Sequence, residues 1–420
     1  MQGVQIYSEI GKLSHALVHR PGIETCNYAE DDFEQVFSLR KWTKRFDIDK
    51  ALDEHRRLVS LFKRRDVEVL DVRDLLIEAL DADPNARQEL VESYVSECGV
   101  RGAELLGAVK TQLEKATNSS DLANTIIGGI HYGETELCHH GRRTLASLTQ
   151  DAFEEKALLV NPLNTLFFTR DPATPIGRGV LLNHLYWHER DREVGVYRCI
   201  LRHHPLFATV PLWDQQKSSF HIEGGDILNL DRHTIAVGIS ERTEASAIDT
   251  LANNLFWGNP ASEASEVQGI CVIRVPSDGL RIHLDTYINR VDRDAFIVDP
   301  AICEAPEMYR IERGTRPGVY RVTSLDMSLA KALSFILGGP VRLIPCGGSD
   351  TAATLSERLG NATSVLALEP GTLCVLEQNH STNEALYKAG MALEPIAIEE
   401  LTKGYGGPNC LCLPLWRSEI

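Results

Sequence analysis

The sequence contains no run of basic residues, no apolar stretch approaching the roughly 18 residues of a membrane span, and no charged-then-apolar segment at its start. Neither a membrane-embedded nor an exported protein is therefore expected. With 43 Lys and Arg against 59 Asp and Glu, the formal charge is −16. That balance argues against nucleic acid or anionic lipid as a partner and leaves solubility or cationic ligands as its use. A disulfide framework is also missing: the ten cysteines are scattered at positions 26, 98, 138, 199, 271, 303, 346, 374, 410 and 412. A reducing cytoplasm is the expected compartment. Low-complexity tracts, long linkers and exact internal repeats are absent as well. What remains is an ordinary globular composition, 43% hydrophobic and 24% charged over 420 residues. It suffices for a large core in one large domain or two to three smaller ones.

The texture of the chain changes twice. A strand-like run from Ala16 to His19 precedes a helical stretch from Ala51 to Arg64 and a second strand from Val67 to Leu70. Leu52, His55, Val59 and Phe62 recur at helical spacing and predict one buried face. From Leu75 to about Phe153 no alternating segment occurs. Helix starts at Asp83-Pro84 and Ser120-Asp121, with apolar Leu90, Tyr94, Leu105, Val109 and Leu113, predict an all-helical insertion there. After Leu158, short strands (Thr234 to Gly238, Cys271 to Val275, Val341 to Ile344, Val365 to Leu368, Leu373 to Leu376) alternate with helices (Glu244 to Leu255, Ser328 to Leu337, Asn383 to Ala389). Such mixing predicts an α/β or α+β fold.

Chemistry-bearing residues gather in the second half. The loop Gly404-Tyr405-Gly406-Gly407-Pro408-Asn409-Cys410 hangs a thiol on a glycine-rich segment, where backbone can approach a ligand closely and a thiolate would be a strong nucleophile. The plainer reading is a small buried hydrophobe. Leu166-Phe167-Phe168-Thr169-Arg170-Asp171-Pro172 reads as an apolar strand whose Asp171 binds a cation or pairs with Arg170. His221-Ile222-Glu223-Gly224-Gly225-Asp226 puts His221 and Glu223 on one face of a strand, or is a polar strand end before a turn. In Gly238-Ile239-Ser240-Glu241-Arg242-Thr243 a strand runs into a helix, and Arg242 either clamps a carboxylate or pairs with Glu241. His283 and Asp285 of Ile282-His283-Leu284-Asp285-Thr286 share a face if that segment is extended.

Taken together, Phe168 to Asp171, Glu223 to Asp226, Ser240 to Thr243, His283 to Thr286 and the Gly-Gly-Pro-x-Cys410 loop resemble bacterial arginine deiminases, in the same order. Tyr7 to Leu13, Leu17 to Gly22, Glu54-His55 and Val67 to Leu70 resemble the opening of that family, so the likeness covers nearly the whole chain. It implies the pentein fold, a fivefold pseudosymmetric α/β propeller formed by residues 1–73 and 156–420, with a helical insertion domain over 74–155. It also implies a cysteine hydrolase that needs no cofactor and binds no metal. Arginine would yield citrulline and ammonia through a covalent amidino adduct on Cys410.

The roles implied suit the substrate. A guanidinium is planar, delocalised and a poor electrophile, so it must be held flat while a thiolate attacks its central carbon. By the resemblance Asp171 and Asp285 hydrogen-bond the guanidinium, His283 moves the protons, and Glu223 orients His283. Arg242 and Arg190 would hold the substrate carboxylate and Phe168 would pack on its side chain, with Asn164, Asp226 and Gly404 completing the binding residues. The expected partners are a small guanidino compound and further copies of the chain. Departures from the family pattern are Thr165 where the family has Asn, Tyr405 where some members have Arg, a more basic Ser38 to Phe46, and Cys412 in place of Ser or Thr. A different guanidine, amidino transfer to an amine, a zinc site drawn from His221, Glu223, His283, Asp285 and Cys410, and an inert binding protein are the alternatives.

Overall fold

The computed structural model describes residues 3–27, 46–138, 157–213, 218–259, 262–277, 281–304, 306–404 and 406–420. Segment 38–45 and Tyr405, two of the departures from the family pattern, lie outside them. The chain is mixed α/β. Strand β1 (Leu13–Val18) is followed by helix α1 (Ile48–Arg64) and β2 (Glu68–Asp71), which pairs with β1 in parallel. Four helices come next: α2 (Val72–Ala82), α3 (Pro84–Glu97), α4 (Ala103–Lys115) and α5 (Ser119–Gly128). Asp71, Asp83 and Asn118 cap α2, α3 and α5 by accepting from the first-turn amides of Arg73, Asn85 and Asp121. Thus α5 starts at Ser119, one residue before the Ser120 expected from sequence and directly after its cap Asn118. Short strands β3 (Ile130–His131) and β4 (Leu158–Val160) pair next.

From there one arrangement recurs. The hairpin β5 (Ala173–Ile176) and β6 (Gly179–Leu182) leads to α6 (His188–His203) and a parallel bridge from Val180 to Leu212. The antiparallel pair β7 (Ile227–Asp231) and β8 (Thr234–Ile239) leads through α7 (Ala245–Trp257) to β9 (Gly269–Arg274), parallel to β8. β10 (Ile288–Asp292) and β11 (Ala295–Val298) are antiparallel; after β12 (Met308–Arg313), β13 (Tyr320–Ser324) and α8 (Leu329–Leu337), β14 (Arg342–Pro345) pairs in parallel with β11. After α9 (Thr351–Leu359), β15 (Leu366–Glu369) and β16 (Thr372–Leu376) are antiparallel, and α10 (His380–Lys388) leads to β17 (Ala392–Ile396), parallel to β16. Finally β18 (Leu413–Arg417) returns to pair antiparallel with β1. Among the described residues five units therefore share one plan: an antiparallel pair, a crossover and a parallel third segment, a strand in four of them and the single Val180–Leu212 bridge in the other.

Two features of this packing position the site. Leu75, Leu76, Leu90, Tyr94, Val109, Leu113, Leu122 and Ile126 of α2 to α5 form one core with Leu182 of β6 and Val196 and Ile200 of α6. The four helices are thus seated on the unit that carries Asp171. Helix α1 buries Ala51, Glu54, His55, Leu58, Leu61 and Phe62, a face rotated from the expected stripe so that Leu52 and Val59 flank it. The rotation places the Glu54 carboxylate inside, where it accepts from the amides of Glu399, Glu400 and Leu401. A buried acid thereby anchors the stretch leading to the Cys410 loop.

Candidate active site

In each of these five units a polar turn stands ahead of the antiparallel pair. Asp171 stands just ahead of β5, and Glu223 precedes the single 3-10 turn Gly224–Asp226 that opens β7. The turn Leu284–Thr286, capped by His283, opens β10; Ser364 precedes β15, and Cys410 precedes β18. Two sequence expectations change here. Residues Leu166 to Thr169 form turns rather than a strand, and Glu223 lies outside any strand. His283 and Asp285 meet around a turn instead of along an extended face. Turns suit the task, because they aim side chains that a pleated strand would direct into the sheet.

These turns converge on one buried cluster. His283 Nε2 lies 2.6 Å from Glu223 Oε2, and His283 Nδ1 lies 3.9 Å from Asp171 Oδ1. Glu223 also accepts from the Tyr186 amide at 2.9 Å through Oε1. Burial lowers the affinity of His283 for a proton, but the Asp171 charge and the Glu223 hydrogen bond outweigh it and push its pKa up to about 9. Glu223 moves the opposite way: burial would raise it, yet the bond and charge of His283, with Arg242 and Arg190, hold it below the usual carboxylate range. The pair is an imidazolium and a carboxylate at neutral pH. Cys410 Sγ lies 3.4 Å from Asp285 Oδ2 and 3.5 Å from Ser364 Oγ. Burial, then the charges of Asp285 and Asp171, push its thiol well above the usual range.

Asp171 and Asp285 each leave one oxygen bare. Asp171 Oδ2 accepts from Arg190 Nη1 at 2.9 Å, and Asp285 Oδ2 accepts from Asn409 Nδ2 at 2.9 Å. Both Oδ1 atoms are buried and have no hydrogen-bond partner among the described residues. A buried acceptor without a donor costs about 1 to 3 kcal/mol, more when charged, so two of them in one cluster mark a place for a cationic donor. Burial accordingly raises the Asp285 pKa, with His283, Asn409 and Arg170 pulling the other way. Glycine makes the packing possible at two points. A Cβ on Gly225 would lie 2.5 Å from His283 Nδ1, and one on Gly406 would lie 2.2 Å from Phe168 Cε1.

The arginine deiminase family model matches residues 43–417. The chain belongs to the arginine deiminase family. Curated arginine deiminases of Treponema denticola and Clostridium perfringens are 32% and 30% identical to it over 426 residues, covering all of this chain and 100% and 99% of theirs. Among solved structures, SxtG, an amidinotransferase of the saxitoxin pathway from Microseira wollei, has 13% identity and a TM-score of 0.55, over 99% of this chain and 98% of its own. The N-terminal domain of ArgZ, solved covalently bound to a reaction intermediate, has 12% identity and a TM-score of 0.53, over 96% and 98%. These likenesses place the chain in the pentein fold.

Of the family residues expected from sequence, Cys410, His283, Glu223, Asp171 and Asp285 come together, with Phe168 buried beside the Gly406 backbone. Others are placed differently. Arg190 turns Nε and Nη2 to the carboxylate of Glu193 and Nη1 to Asp171, so it links Glu193 to Asp171. Thr165, at the family's Asn position, donates to Glu193 at 2.7 Å and extends that link, while Asn164 beside it is buried. Asp226 accepts from Ser240 Oγ, Thr243 Oγ1 and the Leu284 amide at 2.6, 2.7 and 2.8 Å, which ties the Glu223 and His283 turns together. Burial pushes its pKa up to about 6. Neither bland pairing holds: Arg170 pairs with Glu9, and Arg242 reaches Glu223 at 3.9 Å while Glu241 accepts from Ser277. Gly404 lies at the near end of the Cys410 loop, and the His221 ring packs at a tilt against that of His184, with centroids 4.5 Å apart.

Three residues near the site escape the sequence reading. Ser364 is a lone hydroxyl with no motif around it. Tyr186 and Trp187, both well exposed, lie 5.3 and 5.4 Å from the Arg242 guanidinium, which makes no hydrogen bond among the described residues. Two adjacent aromatics just ahead of Arg190 were the available signal.

Proposed function

We propose that this protein hydrolyses L-arginine to L-citrulline and ammonia. The observation that carries this reading is the pair of bare, buried oxygens of Asp171, beside the His283 imidazolium, and of Asp285, beside the Cys410 thiol. A guanidinium supplies planar, charged donors to both carboxylates at once. Its positive charge also answers the two charges that keep the Cys410 thiol protonated, so substrate binding itself favours the thiolate. Sulfur attacks the guanidinium carbon; the S–C bond forms, a C–N bond breaks, and the departing nitrogen takes one proton from the thiol and one from the His283 imidazolium, leaving as ammonium and His283 neutral. His283 then takes a proton from water, which attacks the amidino carbon and releases the ureido product and the free thiol. Glu223 holds His283 in register, Arg190 with Glu193 and Thr165 holds Asp171, and Asp226 ties two of the turns. Phe168 lies along the substrate side chain, Arg242 meets its carboxylate, and Asn164 and Gly404 face its amino-acid end.

The same reading takes the five units as blades of a fivefold pseudosymmetric propeller, residues 1–73 and 156–420, with α2 to α5 in an inserted segment, 74–155. A cytoplasmic homo-oligomer acting without cofactor completes it. No described helix is long and apolar enough to cross a membrane.

Mass spectrometry of products after incubation with arginine, agmatine and methylated arginines tests reaction and substrate together. Citrulline and ammonia from arginine, without added amine and after exhaustive chelation, are expected. Product only when an amine is supplied would make this an amidinotransferase. Loss on chelation would instead favour a metal on Asp171, Glu223 and His283, whose donor atoms lie within 4.8 Å of one another.

A further inference from the structure

Four of the five turns ahead of the antiparallel pairs deliver residues with a role in the reaction proposed above. The fifth, ahead of β15, delivers Ser364, and its side chain points to the same sulfur. Ser364 is fully buried, with Oγ 3.5 Å from Cys410 Sγ. The contact is built from both sides. The Ser364 carbonyl accepts from the Asn409 amide at 3.4 Å, and the Asn361 side chain donates to the Gly406 carbonyl at 2.9 Å. A Cβ on Gly407 would lie 2.7 Å from Ser364 Cβ, so only glycine there lets the Cys410 loop sit this close.

The two side chains bonded to the sulfur differ in what they can offer it. Asp285, once ionised, only accepts: it takes a hydrogen bond from the thiol and opposes the negative sulfur that follows. A hydroxyl can turn its hydrogen outward. Among the described residues Ser364 is the side chain bonded to Sγ that can donate to a thiolate.

We propose that Ser364 is a further catalytic residue, donating its hydroxyl hydrogen to the Cys410 sulfur as the thiolate forms and attacks. No covalent bond to serine is made, and its proton stays on oxygen throughout. The bond strengthens as charge gathers on sulfur and is restored when the amidino adduct is hydrolysed, so it acts on both halves of the cycle. The inference rests on Cys410 being the nucleophile of the proposed deimination.

The test reads the thiol without substrate. Carboxamidomethylation of Cys410 is followed by peptide mass spectrometry as a function of pH in the parent and in Ser364→Ala, with Cys412 as the internal buried control. The alkylation midpoint is expected to rise by about one pH unit in Ser364→Ala and arginine turnover to fall by about tenfold to a hundredfold. Ser364→Cys, with a weaker donor in nearly the same volume, should fall between the two, and keeps the test available if the alanine variant folds poorly. An unchanged midpoint in both variants overturns the proposal, whatever happens to turnover. A parent that releases no citrulline overturns the proposed function instead, while the alkylation profiles still decide whether Ser364 governs the thiol.

Discussion

Asp226 and Asp285 are alike in most respects and opposite in one. Both are fully buried, both belong to a 3-10 turn that opens an antiparallel pair, and burial raises the pKa of both. Asp226 has both oxygens engaged by two hydroxyls and an amide, whereas Asp285 keeps one oxygen bare. A saturated buried acid is a structural tie; an unsaturated one is held ready for a donor that comes from outside. The same contrast separates Glu54, closed around three amides, from Asp171.

The largest effects should fall on the reactive side of that comparison. Cys410→Ala is expected to lower turnover by about ten-thousandfold or more with the melting temperature preserved, whereas Cys412→Ser, two residues on, should retain most of it; initial rates and thermal melts check both. Asp171→Asn and Asp285→Asn come next, each costing about a thousandfold in kcat/KM because a neutral amide presents its own donors to a cation. Asp226→Asn should instead act through the fold, lowering stability by about 1 to 3 kcal/mol in denaturant titrations and activity only in proportion to misplaced turns. A thousandfold loss in well-folded Asp226→Asn would erase the distinction between tie and clamp.

Proton transfer gives a subtler effect. His283 is charged below a pKa of about 9, so rates should decline as pH rises through that value and the general acid is lost. Glu223→Gln removes a carboxylate that favours the charged imidazole, so the alkaline limb must move to lower pH. A limb that stays in place would detach Glu223 from His283. The smallest effect is expected at the rim: Trp187→Ala should weaken arginine relative to agmatine by about threefold to tenfold in Kd, measured in the Cys410→Ala background. Equal weakening of both ligands would make Trp187 mere packing.

Much of this was readable from sequence because the acids, histidine and cysteine of the site belong to short motifs that survive as local turns. The α/β character and helices α2 to α5 followed from period and capping residues, while β3 at Ile130–His131 interrupts the all-helical stretch expected to run to Phe153, of which 139–153 lies outside the described residues. What sequence could not give was saturation. Asp226 and Asp285 look equivalent as residues, and only the hydroxyls of Ser240 and Thr243, brought from beyond β8, tell them apart. The bond from Arg190 to Asp171 was hidden for the same reason, since it joins two elements, whereas its pairing with Glu193 lies within one helix. Ser364 left no trace because one hydroxyl between Thr363 and Val365 is indistinguishable from an ordinary turn residue. The five-unit plan was hidden too, as each third strand pairs across a crossover and hydrophobic pattern does not encode register.

The return of β18 to β1 has a consequence for synthesis. Contacts across that seam join residues as far apart as Gln5 and Arg417, 412 positions along the chain. The strand that follows Cys410 pairs with the first strand of the chain. On the proposed reading, a nascent chain can complete its other four units and still lack an anchored nucleophile, so competence would wait for the pairing of its most distant strands. Truncation just before Leu413 would leave the clamp and the histidine in place with the thiol unanchored.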